Sequence, residues 1–248
     1  MLIDFVKMQA EGNDYIYVDC FGFSLVRPAE AAVKLSPRRL GVGADGLITM
    51  HASDSAAVKI KIYNADGTVA GMCGNALRCV ALYMREFRGV KKDEICVETD
   101  CGIKPVKKAE GKNRFTVTMG RAKFCESGSI MLTDVGNLHR VCFSDGSEST
   151  RFDSLENFRP DLYNTEICTV TPDCGINARV YERGSGETMS CGSGACAAAA
   201  SAVRKGLLRP GRIDVRFPGG VLRVSVDENY LTELTGGAQI VYTGRVCL

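Results

Sequence analysis

One stretch of this chain occurs twice, 118 positions apart, and each copy sets a cysteine where a strand runs into a helix. Residues 62–75 read IYNADGTVAGMCGN, and residues 180–193 read VYERGSGETMSCGS. The register runs on: Ile95 and Val97 recur as Ile213 and Val215, and Gly102, Ile103 and Val106 as Gly220, Val221 and Val224. Upstream, Gly12-Asn13 is echoed by Gly136-Asn137 at an offset of 124. A repeat this long predicts two halves of one fold, not a solenoid of short units. Duplication alone accounts for matched apolar positions. Matched cysteines in matched local sequence say more, because two like thiols can act as two acid/base groups. Such a pair suits moving a proton from one face of a carbon to the other.

The length of 248 residues suits two domains of about 120. The repeat places them at residues 1–120 plus 238–248, carrying Cys73, and 121–237, carrying Cys191. A formal charge of +2, with Lys and Arg scattered, argues against nucleic acid as a partner. No run approaches the roughly 18 apolar residues of a membrane helix, and the N-terminal segment has no signal-peptide core. The expectation is a cytoplasmic protein that does not engage a membrane. Twelve cysteines are many, yet they are dispersed, form no CxxC pair and accompany no export signal. A disulfide framework is therefore not expected. With His51 and His139 the only histidines, no metal site is expected either.

Short runs rich in Val, Ile, Tyr and Thr, punctuated by Gly, Asp, Asn and Pro, predict strands. In the first half these cover 2–8, 15–19, 47–51, 58–63, 94–99, 103–108 and 114–119. In the second they cover 129–132, 140–144, 166–171, 178–181, 212–217, 221–226 and 239–245. Two helices are expected directly after the repeated cysteines, at 74–88 and 192–205. The first is apolar or small on nearly every face, with Arg78, Glu86 and the last-turn arginines Arg85 and Arg88 as exceptions. The second is uncharged until Arg204. Helices apolar all round are buried, and both are followed by a glycine, Gly89 and Gly206, as helix C-termini prefer. A shorter helix is expected at 29–35, a single turn at 155–158, and the hinge between halves near 120–129. The fold class is α/β of the α+β kind: two pseudo-symmetric halves, each a curved, mostly antiparallel sheet or barrel around a central helix, with an active site in the cleft between them.

A thiol at a helix start feels the positive end of the helix dipole, which is expected to lower its pKa. The N–H groups of Gly74, Asn75, Gly192 and Ser193 are placed to receive a carboxylate. Burial in the core is the expected fate of most of the other ten cysteines. The run GVGADG at 41–46 lacks both the Walker lysine and the dinucleotide spacing, so a nucleotide loop is rejected.

Taken together, MCGN-x-x-RC, GN-x-H, RVYERG-x-GET and SCGSGACAA resemble the diaminopimelate epimerase family, amino-acid racemases that work without pyridoxal phosphate. The resemblance spans nearly the whole chain, from EGND at 11–14 to YTG at 242–244, and includes GVGADGL and FPGG. It implies that Cys73 and Cys191 are the thiolate base and the thiol acid, one on each face of the substrate α-carbon. His139 and Glu182 match supporting polar groups near the thiols. Asn13 would help hold the reacting amino group, and Gly74, Asn75, Gly192 and Ser193 the reacting carboxylate. Asn64, Asn137, Asn164 and Arg183 match positions that grip the distal amino-acid end. The implied activity is cofactor-independent interconversion of LL- and meso-diaminopimelate. The implied partner is a small amino-acid substrate, and the family often forms homodimers.

Read without the resemblance, Asn64 is a turn residue, Arg183 a surface ion-pair former and His139 structural. The chain departs from the family pattern at Ala76 and Leu77, at Leu138 (a usual proline), at Ser193 (a usual threonine), and in a shorter segment before Asn164. Three other readings stand beside the first: a racemase of the same fold for another amino acid, a non-catalytic amino-acid-binding protein, and a thiol-disulfide oxidoreductase. Lack of CxxC disfavours the last.

Overall fold

The computed structural model describes residues 2–127, 130–144, 151–156 and 158–248, with the backbone alone at 126, 127 and 130. The chain divides into two compact units, Met1–Val117 with Gly237–Leu248, and Thr118–Gly236. In order, the first elements are β1 (Leu2–Ala10), β2 (Asn13–Asp19), α1 (Pro28–Leu35), β3 (Gly46–His51), β4 (Val58–Asn64), β5 (Val69–Ala70), α2 (Gly74–Glu86), β6 (Glu94–Thr99), β7 (Gly102–Lys108) and β8 (Arg114–Arg121). Then come β9 (Lys123–Ser127), β10 (Ile130–Asp134), β11 (Leu138–Phe143), a 3-10 turn (Phe152–Ser154), β12 (Asn164–Val170), β13 (Ile176–Glu182) and β14 (Gly186–Thr188). The chain ends with α3 (Gly192–Arg204), β15 (Gly211–Phe217), β16 (Gly220–Val226), β17 (Leu231–Gly237) and β18 (Gln239–Cys247).

In the first unit, β1 pairs antiparallel with both β2 and the final strand β18. Strand period places alternate residues on opposite faces. Thus Val58, Ile60 and Ile62 of β4 turn into the core while Lys59 and Lys61 turn outward. Helix α2 packs on β1, β7 and β18, and every residue from Gly74 to Met84 is buried. Helix α1 covers β3 and β4. In the second unit, α3 lies against β10, β11, β12, β13, β15 and β16. Ala195 and Ala197 through Ala200 are fully buried, so small side chains let the surrounding strands close in on the helix. A Schellman ending terminates α3: Leu207 N–H bonds Ala202 C=O, Gly206 N–H bonds Val203 C=O, and Gly206 takes φ 70°.

The duplication is carried into strand register. Parallel pairing joins Val58 to Val97 in one unit and Ile176 to Val215 in the other. It likewise joins Tyr15 to Gly46 and His139 to Asn164. Most remaining pairings are antiparallel, as expected for this fold class.

Several boundaries differ from expectation. Helix α2 stops at Glu86, with Phe87 as its C-cap. The expected turn at 155–158 is closed by Phe158 N–H on Leu155 C=O at 3.2 Å, and an unexpected 3-10 turn at Phe152–Ser154 precedes it; residue 157 lies outside the described residues. Strand β10 starts at Ile130, and residue 129 of the expected run is also outside them. Around the expected hinge, 120–127 is strand broken only at Ala122. β17 was not anticipated because its inward positions are Thr232, Leu234 and Gly236, which carry no apolar alternation.

Candidate active site

Cys73 and Cys191 hold the same position in their units. Each is the N-cap residue of its helix, in extended conformation (φ −144°, ψ 117° and φ −136°, ψ 121°). Each C=O accepts the first helical bond, from Leu77 at 3.0 Å and Ala195 at 2.9 Å. Helix starts have no intrahelical acceptors for their first N–H groups. Gly74, Gly192 and Ser193 therefore supply donors next to the thiols.

In the first unit, Cys73 is half-buried, and its Sγ lies 3.7 Å from Asn13 Oδ1. Asn13 is held in place by donating Nδ2–H to Asp45 Oδ2 at 2.9 Å. The same carboxylate oxygen accepts Asp14 N–H at 3.1 Å, and Arg38 grips Asp14 with two bonds. Burial and the charge of Asp14 push the Asp45 carboxyl above its ordinary value. Asn75 is buried, with its Oδ1 accepting from Arg78 at 2.8 Å. Arg78 is itself fully buried and ion-paired to Glu11, whose other oxygen accepts Gly237 N–H at 2.8 Å. Asn64 ends β4 at the edge of the β4–β5 turn and donates across that turn to Thr68 Oγ at 2.9 Å. Its turn role is thus visible.

The second unit is built differently around its thiol. Cys191 Sγ accepts Gly194 N–H at 3.4 Å and lies 3.4 Å from Ser193 Oγ. Ser193 Oγ is 3.0 Å from His139 Nε2, and His139 Nδ1 is 2.7 Å from Glu166 Oε1. Both His139 and Glu166 are fully buried. Glu182 is hydrogen-bonded to Cys191 and accepts from Thr188 Oγ at 2.6 Å. Burial raises the Glu182 carboxyl, opposed by those two bonds. Asn164 Oδ1 accepts Arg183 N–H at 2.8 Å, so these two sit together, while the Arg183 side chain is exposed. Asn137 is exposed in the β10–β11 turn, where Val135 N–H reaches its C=O at 3.2 Å. The missing proline at Leu138 is offset by Gly136 at φ 95° and the Asp134–Leu138 strand pair.

One expectation is corrected. A helix start was expected to lower the Cys191 thiol, yet burial pushes it well above the ordinary thiol value, and Glu182 and Glu166 add to that. Ser193 and the Gly194 N–H pull the other way and are outweighed. Loss of water around a thiolate costs more here than the helix end returns.

Sequence reasoning missed Glu166, Asp45, Glu11 and Thr188. Glu166 had a usable signal, an acidic residue inside a strand that is otherwise Asn, Thr, Ile, Cys and Val. A cavity of about 450 Å³ opens elsewhere, beside Thr49, His51, Lys59, Lys61 and Tyr63, and none of the expected site residues lines it.

Comparison with known proteins agrees with these observations. The family model for diaminopimelate epimerase matches residues 5–125 and 131–245. Relatives named diaminopimelate epimerase are 38% identical in Phocaeicola vulgatus and 36% in Bacteroides thetaiotaomicron, each alignment covering 98% of both chains. In fold, the chain is similar to a PhzF-family phenazine biosynthesis protein of Bacillus anthracis (TM-score 0.79, 18% identity, all of both chains). It is also similar to a hydroxyproline epimerase of Agrobacterium vitis (TM-score 0.71, 15% identity, 100% of this chain and 93% of that one). The chain is an isomerase and belongs to the diaminopimelate epimerase family.

Proposed function

We propose that this enzyme inverts one α-carbon of diaminopimelate, interconverting the LL and meso forms, with Cys73 and Cys191 acting from opposite faces. In the cytoplasm this would supply the meso isomer for lysine and peptidoglycan precursor synthesis. The observation that carries the reading is the matched placement of the two thiols, each capping a buried helix at the same register of a duplicated unit.

An amino-acid α-hydrogen is a very weak acid, so the developing carbanion must be stabilised. Backbone N–H groups of Gly74, Asn75, Gly192 and Ser193 are the proposed donors to the reacting carboxylate, and one such donor is worth about 3 kcal/mol. A positioned acid or base adds about 10²–10⁴-fold. One thiolate removes the α-hydrogen, and the other thiol delivers its proton to the opposite face. The two roles exchange with reaction direction. Asn13 holds the reacting amino group with its oxygen, an orientation that its bond to Asp45 supports. Asn64, Asn137, Asn164 and Arg183 are assigned to the distal amino-acid end. Glu182 and His139 assist the thiols.

The test is a panel of amino acids scored by chiral chromatography. LL-diaminopimelate should yield the meso form, and proline, hydroxyproline, glutamate and lysine should be returned unchanged. Inversion of one of those four with none of diaminopimelate would replace the substrate assignment. Saturable binding with no α-hydrogen exchange into any of them would make this a binding protein.

A further inference from the structure

Four side chains of the second unit form an unbroken line: Cys191 Sγ, Ser193 Oγ at 3.4 Å, His139 Nε2 a further 3.0 Å on, and Glu166 Oε1 2.7 Å from His139 Nδ1. We propose that Ser193 carries the Cys191 proton to and from His139, and that Glu166 is the positioning residue that makes His139 able to receive it. This rests on the two-thiol reading above. It adds two residues, Glu166 and the Ser193 hydroxyl, and a direction of transfer.

The direction follows from donors and acceptors. A carboxylate can only accept, so His139 donates Nδ1–H to Glu166 and presents a bare Nε2 to Ser193. Ser193 then donates its O–H to Nε2, and its oxygen accepts the Cys191 S–H. When Cys191 becomes a base, its proton passes to Ser193 Oγ while the Ser193 proton passes to Nε2. The products are a thiolate and an imidazolium, with net charge unchanged. Glu166, fully buried alongside, balances the imidazolium. The return step reverses both transfers. A thiol that burial holds protonated needs such a route, because water does not reach it freely.

Glu166 is costly to keep unless it has work of this kind. Its Oε2 is buried without a hydrogen-bond partner among the described residues. Its Oε1 would lie 2.5 Å from a Cβ at position 194, so the glycine there makes room for it. The duplication supplies an internal comparison. By strand register, Tyr15 and Ile48 of the first unit occupy the places of His139 and Glu166, and Asn75 stands where Ser193 does. The first unit therefore has neither a histidine nor a carboxylate at the matching positions. Glu182 also reaches Cys191, so the test must separate that contact from the serine path.

Ser193→Ala, Glu166→Gln and the double variant are compared for kcat and KM on diaminopimelate. Links of one chain fail together, so each single variant should lower kcat by about 100-fold, within the range of one acid/base group. KM should stay within about twofold, and the double variant should be no slower than the worse single. Ser193→Ala with kcat above half of wild type, or losses that multiply in the double variant, would overturn the relay. A wild-type enzyme that inverts no diaminopimelate would count against the substrate assignment instead. The relay is then still decided by ¹⁵N NMR of the imidazoles, since only His51 and His139 are present. Nδ1-protonated His139 in wild type, lost in Glu166→Leu, is the expected result. An Nε2-protonated ring in wild type would overturn it.

Discussion

At the scale of single residues, the same side chain type sits in two unlike settings. Cys73 is half-buried with Asn13 beside it, whereas Cys191 is buried among Glu182, Ser193 and the His139–Glu166 pair. If both thiols are obligatory, replacing either with alanine removes one face of the reaction. Each variant should lose at least about 10²-fold in turnover and should melt within a few degrees of wild type. Chiral assay with parallel thermal melts checks this, and an alanine variant at near-normal turnover would contradict it. The thiols were legible in the sequence because they recur within a recurring motif. Glu166 was not, because its partner His139 lies in another strand and only the parallel register of β11 and β12 brings them together. Nor was the direction of the Cys191 shift, since local sequence shows the helix end but not the depth of burial around it.

At the scale of elements, the central helices and most strands were readable, because apolar all-round helices and alternating strands leave clear patterns. β17 and the 3-10 turn were not, because threonine, glycine and charged residues at their positions carry no period. Buried thiols give these elements a pH signature. Burial pushes the Cys79 thiol, on α2 beside Tyr17, up from 9.0 to about 12. Cys168 on β12 and Cys191 at the α3 start are likewise raised. Above the ordinary thiol value the unfolded chain gives up protons that the folded chain keeps, so stability must fall as pH rises from about 9 toward 12. Each such thiol contributes up to about 1.4 kcal/mol per pH unit. Urea unfolding at intervals from about pH 8 to 10.5 should show that decline, and Cys79→Ala should make it shallower. A Cys79→Ala slope equal to that of wild type would contradict the assignment.

At the scale of the whole molecule, duplication explains why one family of motifs serves both units and why their topologies match strand for strand. The copies have also diverged at matching positions, since Tyr15 and Ile48 stand in one unit where His139 and Glu166 stand in the other. The chemistry proposed here requires that two separate thiols handle two different protons in each turnover. Deuterium incorporation tests this most directly: LL-diaminopimelate is converted in D₂O, and product and unreacted substrate are analysed by mass spectrometry during the first few per cent of reaction. The product should carry one deuterium at the inverted carbon, while the recovered substrate stays unlabelled. Product that retains the original hydrogen would mean that a single group removes and returns it, and the two-thiol chemistry would be wrong.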